Sequence, residues 1–172
     1  CNISRSNRGI SLQLRDKGRI ENVIFCNLNI VTRMFSKQHW WGAAEPIAIT
    51  AVKRKEDSQV GTIQNIRFQN INCDSENGIL IYGDESRNIS DVVFENVFLK
   101  IRKKTDWPKE GHDLRPWPGE AVAAGKLAGY YCRNAEKIRI RGGQVDVLPE
   151  MAPHVPEKYD IADCGRMDIS ED

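Results

Sequence analysis

The chain has 172 residues, 40% hydrophobic and 28% charged, with 25 Lys and Arg against 24 Asp and Glu. That length holds one domain with a sizeable core, and a net charge of +1 supplies no field that favours nucleic acid or an anionic membrane surface. No apolar run reaches the roughly 18 residues that mark a membrane-spanning helix, and the opening "CNISRSNRGI" lacks the design of a secretory signal, so it reads as a cut or processed end.

In chain order, the first strand-like run is "GISLQL" from Gly9, where Ile10, Leu12 and Leu14 alternate with Ser11 and Gln13. This is the two-residue period of a strand buried on one face. "RIENVIFCNLNI" follows at 19–30, then "EPIAIT" from Glu45, "TIQNIRFQNINC" at 62–73, "NGILIY" from Asn77 and "NISDVVFENVFL" at 88–99. "AGYYCR" from Ala128, "AEKIRIRGGQV" from Ala135 and a degenerate "CGRMDIS" from Cys164 complete the series.

The longer runs repeat one another. Ile20, Ile63 and Ile89 share a column; so do Val23, Ile66, Val92, Ile138 and Met167, then Phe25, Phe68, Phe94, Ile140 and Ile169, then Asn27, Asn70 and Asn96. A single copy cannot bury its inward Ile, Val and Phe alone, whereas stacked copies can. Some copies are separated by one coil's worth of chain, others by about 20 residues more, as expected when insertions form loops on a solenoid surface. The insertions are "RMFSKQHWWGAAE" with "KRKEDSQVG", and "KKTDWPKEGHDLRPWPGEAVAAGK". The expected fold is all-β: one parallel β-helix domain over 1–172, about five coils with two long loop insertions. The Asn column is expected to stack as an amide ladder inside a bend, satisfying backbone groups of adjacent coils, or to stand as exposed turn residues.

Cys1, Cys26, Cys73, Cys132 and Cys164 are far apart with no C-x-x-C spacing, which argues for isolated, mostly buried thiols over a zinc site or redox dithiol. His39, His112 and His154 sit in separate segments without ligand spacing, and no metal or cofactor is expected. "Asn-Ile-Ser" at Asn2 and Asn88 permits glycosylation only in a secreted eukaryotic chain.

The stretches "NRGISLQLRDKGRIENVIFCNLNI", "WWGAAEPIAITA", "GTIQNIRFQNINCDSENGILIYG" and "HDLRPWPG" resemble, in that order, the C-terminal half of polygalacturonase-like enzymes of glycoside hydrolase family 28. The resemblance spans most of the chain. It implies a right-handed parallel β-helix of the pectin-lyase-like kind, secreted or periplasmic, acting on pectic or related plant oligo- or polysaccharide by O-glycosyl hydrolysis. The family's Asn-x-Asp segment, adjacent Asp pair and Gly-His-Gly segment have no counterpart here, so no catalytic residue is assigned. The chain is expected to be inactive alone and to need N-terminal coils of the same protein. The alternative is a non-catalytic carbohydrate-binding or structural β-helix module. Without a polar cap at "CNISRSN", the first coil is the expected weak point.

The same resemblance puts Ser11 and Gln13 where the family carries an Arg and a Lys that grip a uronate carboxylate. Arg15, on the same outward face, is the candidate replacement cation; a surface Arg without ligand is the alternative. Tyr82 is a candidate sugar-stacking ring, or a solvated rim residue, and Arg8, Glu45 and Glu76 are candidate hydroxyl partners where loops border the groove, or structural turn residues. His39 and Trp41 join Trp40 and Glu45 in an aromatic loop suited to carbohydrate, or simply pin that loop. His112, with Asp113 and Arg115, either lines the far end of a cleft or holds its own loop together. Loss of the two cations predicts a preference for neutral or mixed sugars over unbranched polygalacturonate.

Overall fold

The structure, a computed structural model, describes residues 1–36, 42–107, 111–118 and 127–170. Among them are eleven strands and no helix: β1 (Asn2–Ser6), β2 (Ile10–Leu14), β3 (Arg19–Thr32), β4 (Ile47–Ala51), β5 (Thr62–Ser75), β6 (Ile79–Tyr82), β7 (Ile89–Ile101), β8 (Ala128–Arg133), β9 (Ala135–Val147), β10 (Glu157–Ala162) and β11 (Met167–Ser170). They form two parallel sheets, a six-stranded one in the order β1-β3-β5-β7-β9-β11 and a five-stranded one in the order β2-β4-β6-β8-β10. The chain changes sheet at every step, and each return adds the next strand on the same side. The runs at β1 and β10, "NISRS" and "EKYDIA", are strands that the repeat does not announce.

The repeat columns are the register of the six-stranded sheet. Ile20 faces Ile63 and Ile63 faces Ile89; Val23, Ile66, Val92, Ile138 and Met167 follow one another across it, as do Phe25, Phe68, Phe94, Ile140 and Ile169. The Phe68 ring stacks on Phe25 at 5.2 Å and on Phe94 at 4.9 Å, within 9° of parallel in both cases. Both sheets feed one apolar core, where Ile47, Ile49, Ile79 and Ile81 of the short strands join Ile66, Phe68, Val92 and Phe94 of the long ones. Full burial of each such side chain is worth about 1.5–3 kcal/mol.

Simple alternation does not run the length of the long strands. In β5 the buried positions are Ile63, Ile66, Phe68, Ile71, Cys73 and Ser75, so the apolar spacing slips by one residue at Asn65 and again at Asn70. Both asparagines are left-handed, with φ of 52° and 54°. Asn22 and Asn27 in β3, Asp91 and Asn96 in β7, and Lys137 and Gly142 in β9 have the same positive φ. Asn, Asp and Gly tolerate this conformation best, and a left-handed residue turns the chain, so each strand bends twice and still points its apolar set inward.

The asparagine column does form a ladder. Asn70 Nδ2 donates to Asn27 Oδ1 at 3.3 Å and Asn96 Nδ2 to Asn70 Oδ1 at 3.1 Å. All three side chains are exposed and sit at the left-handed bends, so the ladder joins amide to amide at the surface of the bend; the expectation that each side chain satisfies backbone groups of adjacent coils is corrected accordingly. Asn88 is 6% exposed, and its Nδ2 donates to Ala51 O and Gly61 O. That nitrogen has no room for a glycan. The expectation of isolated, mostly buried thiols is corrected too: Cys1 and Cys26 are exposed, and the sulfurs of Cys132 and Cys164 are 3.3 Å apart.

Leu114, from the segment 111–118, packs on Ala48 and Leu80 on the outer face of the five-stranded sheet. That face therefore carries a covering over its middle. This placement decides what the candidate site residues can touch.

Candidate functional site

The covering segment is clamped by a buried polar cluster. Glu45, just before Pro46 and β4, is fully buried. Its Oε2 accepts from Arg8 Nε at 3.2 Å and from the Ala43 amide at 2.8 Å, while Oε1 lies 3.2 Å from His112 Nδ1. Asn77 Nδ2 also approaches that ring nitrogen, at 3.4 Å, but it donates to Ala43 O at 2.9 Å. A carboxylate acceptor beside it assigns the hydrogen of Nδ1 to the Glu45 bond. Burial pushes the Glu45 carboxyl up, but the charge of Arg8, the His112 bond and the Ala43 amide outweigh it and hold the group well below the usual carboxylate range.

The clamp continues along the segment. Arg8 Nη2 donates to Asp113 O at 2.9 Å, and Asp113 accepts from the Gly42 amide at 3.2 Å and from Arg115 Nε at 2.8 Å. The His112 ring lies 5.2 Å from the Tyr131 ring, and its Nε2 is buried with no hydrogen-bond partner among the described residues. An unsatisfied buried acceptor costs about 1–3 kcal/mol. This cluster orders chain; apart from the exposed Arg115 side chain, it is turned away from solvent.

Arg15 is not an open cation on the outward face. It is 4% exposed, with Nη1 donating to Leu14 O and Thr50 O and Nη2 to Leu114 O at 2.9 Å. Alternation correctly sends it away from the core, but the covering segment then buries it. Burial, with repulsion from Arg8 and Arg54, lowers its pKa to about 10, against a smaller opposing pull from Asp113; it remains a cation at neutral pH. Gln13 Nε2 donates to Arg115 O at 3.0 Å, and Ser11 is exposed.

Glu76 is likewise buried, and it serves backbone rather than a groove. Its Oε2 accepts from the Met34 amide at 2.7 Å and its Oε1 from the Lys104 and Thr105 amides, each at 2.6 Å. These bonds hold the segments that follow β3 and β7. His39, Trp40 and Trp41 lie outside the described residues. Of the ten candidates, Arg8, Glu45 and His112 come together directly, Gln13 and Arg15 attach to the same covering segment, and Ser11 and Tyr82 keep an accessible surface.

Tyr82 ends β6 and meets Trp117 edge-on, with centroids 6.4 Å apart at 71°. The two rings line a groove of about 540 Å³ with Lys53, Asp84, Glu85 and Asn134. Aromatic faces can pack against sugar C–H groups while carboxylates and amides take hydroxyls. Strand periodicity does not single out Trp117, Asp84 and Glu85, because Trp117 lies within the second insertion and Asp84 and Glu85 in the turn after β6, outside the repeat columns; the ring of Trp117 beside two prolines is the one signal present. A second groove, about 490 Å³, lies on the outer face of the six-stranded sheet, where Asn29, Asn72 and Gln144 flank the half-exposed Phe98. Asn72 Nδ2 donates to Asn29 Oδ1 at 3.1 Å there.

Among the described residues, no group of three or more His, Cys, Asp or Glu is placed to hold a metal, and no helix is long and apolar enough to cross a membrane. No protein-family model, curated protein or solved structure matches the chain.

Proposed function

We propose that the chain is the carbohydrate-binding C-terminal part of a polygalacturonase-like glycosidase, folded as a right-handed parallel β-helix and acting on pectic or related polysaccharide with catalytic carboxylates supplied by preceding coils. The coil reading is supported by the regular alternation of strands between two parallel sheets. The observation that carries the functional reading is the Tyr82–Trp117 corner, with Lys53, Asp84 and Glu85 in the same groove. Its two carboxylates and one ammonium suit a neutral or mixed sugar better than a run of uronates.

A titration of the chain with neutral or rhamnose-containing pectic oligosaccharides and with oligogalacturonate, followed by calorimetry, tests this. The expected result is binding of the neutral or mixed oligosaccharide that weakens at least tenfold in Tyr82→Ala and in Trp117→Ala. Tighter binding of oligogalacturonate, or binding indifferent to both substitutions, would overturn it. A non-catalytic structural solenoid is the second reading. It is favoured by the commitment of Glu45, Glu76, Arg15 and His112 to internal bonds, and it predicts no saccharide binding at all.

A further inference from the structure

The far end of the five-stranded sheet brings together two thiols 32 residues apart in the chain. Cys132 lies in β8 opposite Ile161 of β10. Beyond Ile161 the chain turns through Asp163, whose φ is 57°, and the Gly165 amide donates to Ala135 O at 2.9 Å. That turn sets Cys164 Sγ 3.3 Å from Cys132 Sγ. Cys132 is 1% exposed and Cys164 is half-buried, so one sulfur is reachable from solvent and the other waits behind it.

We propose that Cys132 and Cys164 are an oxidisable pair that a hydroperoxide converts to an intramolecular disulfide, tying β8 to the turn between β10 and β11. A disulfide needs the sulfurs at about 2.05 Å, a closure that a side-chain rotation at the half-exposed turn can supply. Cys164 is the attacking sulfur. The hydrogen bond from the Cys132 thiol, the Ala135 backbone bond and the charges of Arg133 and Arg87 outweigh partial burial and lower its pKa to about 7. The bond to Cys164 and burial push Cys132 up, so it keeps its proton.

The thiolate of Cys164 displaces hydroxide from the peroxide and becomes a sulfenic acid. The Cys132 sulfur then attacks Cys164 Sγ, the S–O bond breaks, and the oxygen leaves as water with the Cys132 proton. Two thiols lose two electrons in all, and the peroxide accepts them. Cys73, buried and pushed up to about 12 by desolvation, takes no part.

The test uses the full chain carrying Cys1→Ser and Cys26→Ser, which removes the exposed thiols. After treatment with hydrogen peroxide and removal of the excess, non-reducing peptide mapping is expected to find a Cys132–Cys164 cross-link. Tm is expected to rise by roughly 5–10 °C through loop closure and to fall back with dithiothreitol. The initial rate of cross-linking should increase about tenfold between pH 6 and pH 8, following the thiolate. Adding Cys164→Ser, at the half-exposed position, should abolish the cross-link and leave the reduced Tm unchanged. Recovery of both cysteines by alkylation in denaturant, oxidation of Cys164 past the sulfenic acid without a cross-link, or a cross-link that leaves Tm unchanged would each overturn the proposal.

Discussion

Replacing Glu45 by Gln removes the charge at the centre of the clamp while keeping the side chain's shape. Arg8, whose side chain is 9% exposed, then loses its ion-pair partner, and His112 Nδ1 faces an amide that is a weaker acceptor. Breaking a buried pair by removing one partner costs about 3–5 kcal/mol. The single Gln oxygen retains one of the Ala43 and His112 bonds, which are made to different carboxylate oxygens, and this places Glu45→Gln near the lower end, at about 3 kcal/mol. For a chain of this size that is a drop in Tm of roughly 6–12 °C. The pH dependence has a definite sign. The folded pKa of Glu45 is depressed from the ordinary 4.5, so its contribution is complete above the unfolded value and is lost as pH falls toward the folded one. The gap between parent and variant should therefore be constant from pH 6 to 8 and close by about 1.4 kcal/mol per pH unit below 4.5. Denaturant melts followed by near-ultraviolet circular dichroism at pH 7 and pH 3 measure both quantities. A variant within 1 °C of the parent at pH 7, or a gap that does not narrow in acid, refutes the clamp.

Phe68→Ala removes the middle ring of a three-ring stack and should cost about 3–5 kcal/mol, with the denaturant midpoint lowered and the m-value unchanged; Phe25→Ala, at the partly exposed end of that stack, should cost clearly less. Asn70→Ala puts an ordinary residue at a φ of 54° and should cost about 1–2 kcal/mol, whereas Asn70→Gly, despite losing the ladder bond, should cost less than Ala in the same melts.

The repeat was readable because two signals coincide: the same column recurs in register, and within each copy Val23/Phe25, Ile66/Phe68 and Val92/Phe94 keep the two-residue period. The slips at Asn65 and Asn70 are visible only once their left-handed backbone is known, since alternation assumes an unbroken extended strand. β10 has just Tyr159, Ile161 and Ala162 as apolar residues, too little contrast to announce a strand. The site was less legible for a different reason. Strand period tells which side of a sheet Arg15 leaves from but not what lies over that side, and its cover, Leu114, is 99 residues away in the chain. Glu45 and His112, 67 residues apart, are each unremarkable alone. The contact of Cys132 with Cys164 likewise depends on the pairing of Ile161 with Cys132, a register that no local spacing encodes.

Because the chain crosses from sheet to sheet at every step, each strand is hydrogen-bonded only to the strand before and the strand after it in its own sheet. Such a molecule has no preferred size. Copying residues 63–88 in tandem would place a second Ile66 and Phe68 on the first, ring over ring and Asn70 amide over amide, with the same αL bends and the same inward columns; on the outer face it would set Arg67 opposite Arg67 and Asp74 opposite Asp74, where the sheet now has Val93 and Lys100. A gene encoding such a chain can grow or shrink by whole rungs without inventing a new core, and the connecting segments, freed from holding the stack together, are where novelty accumulates.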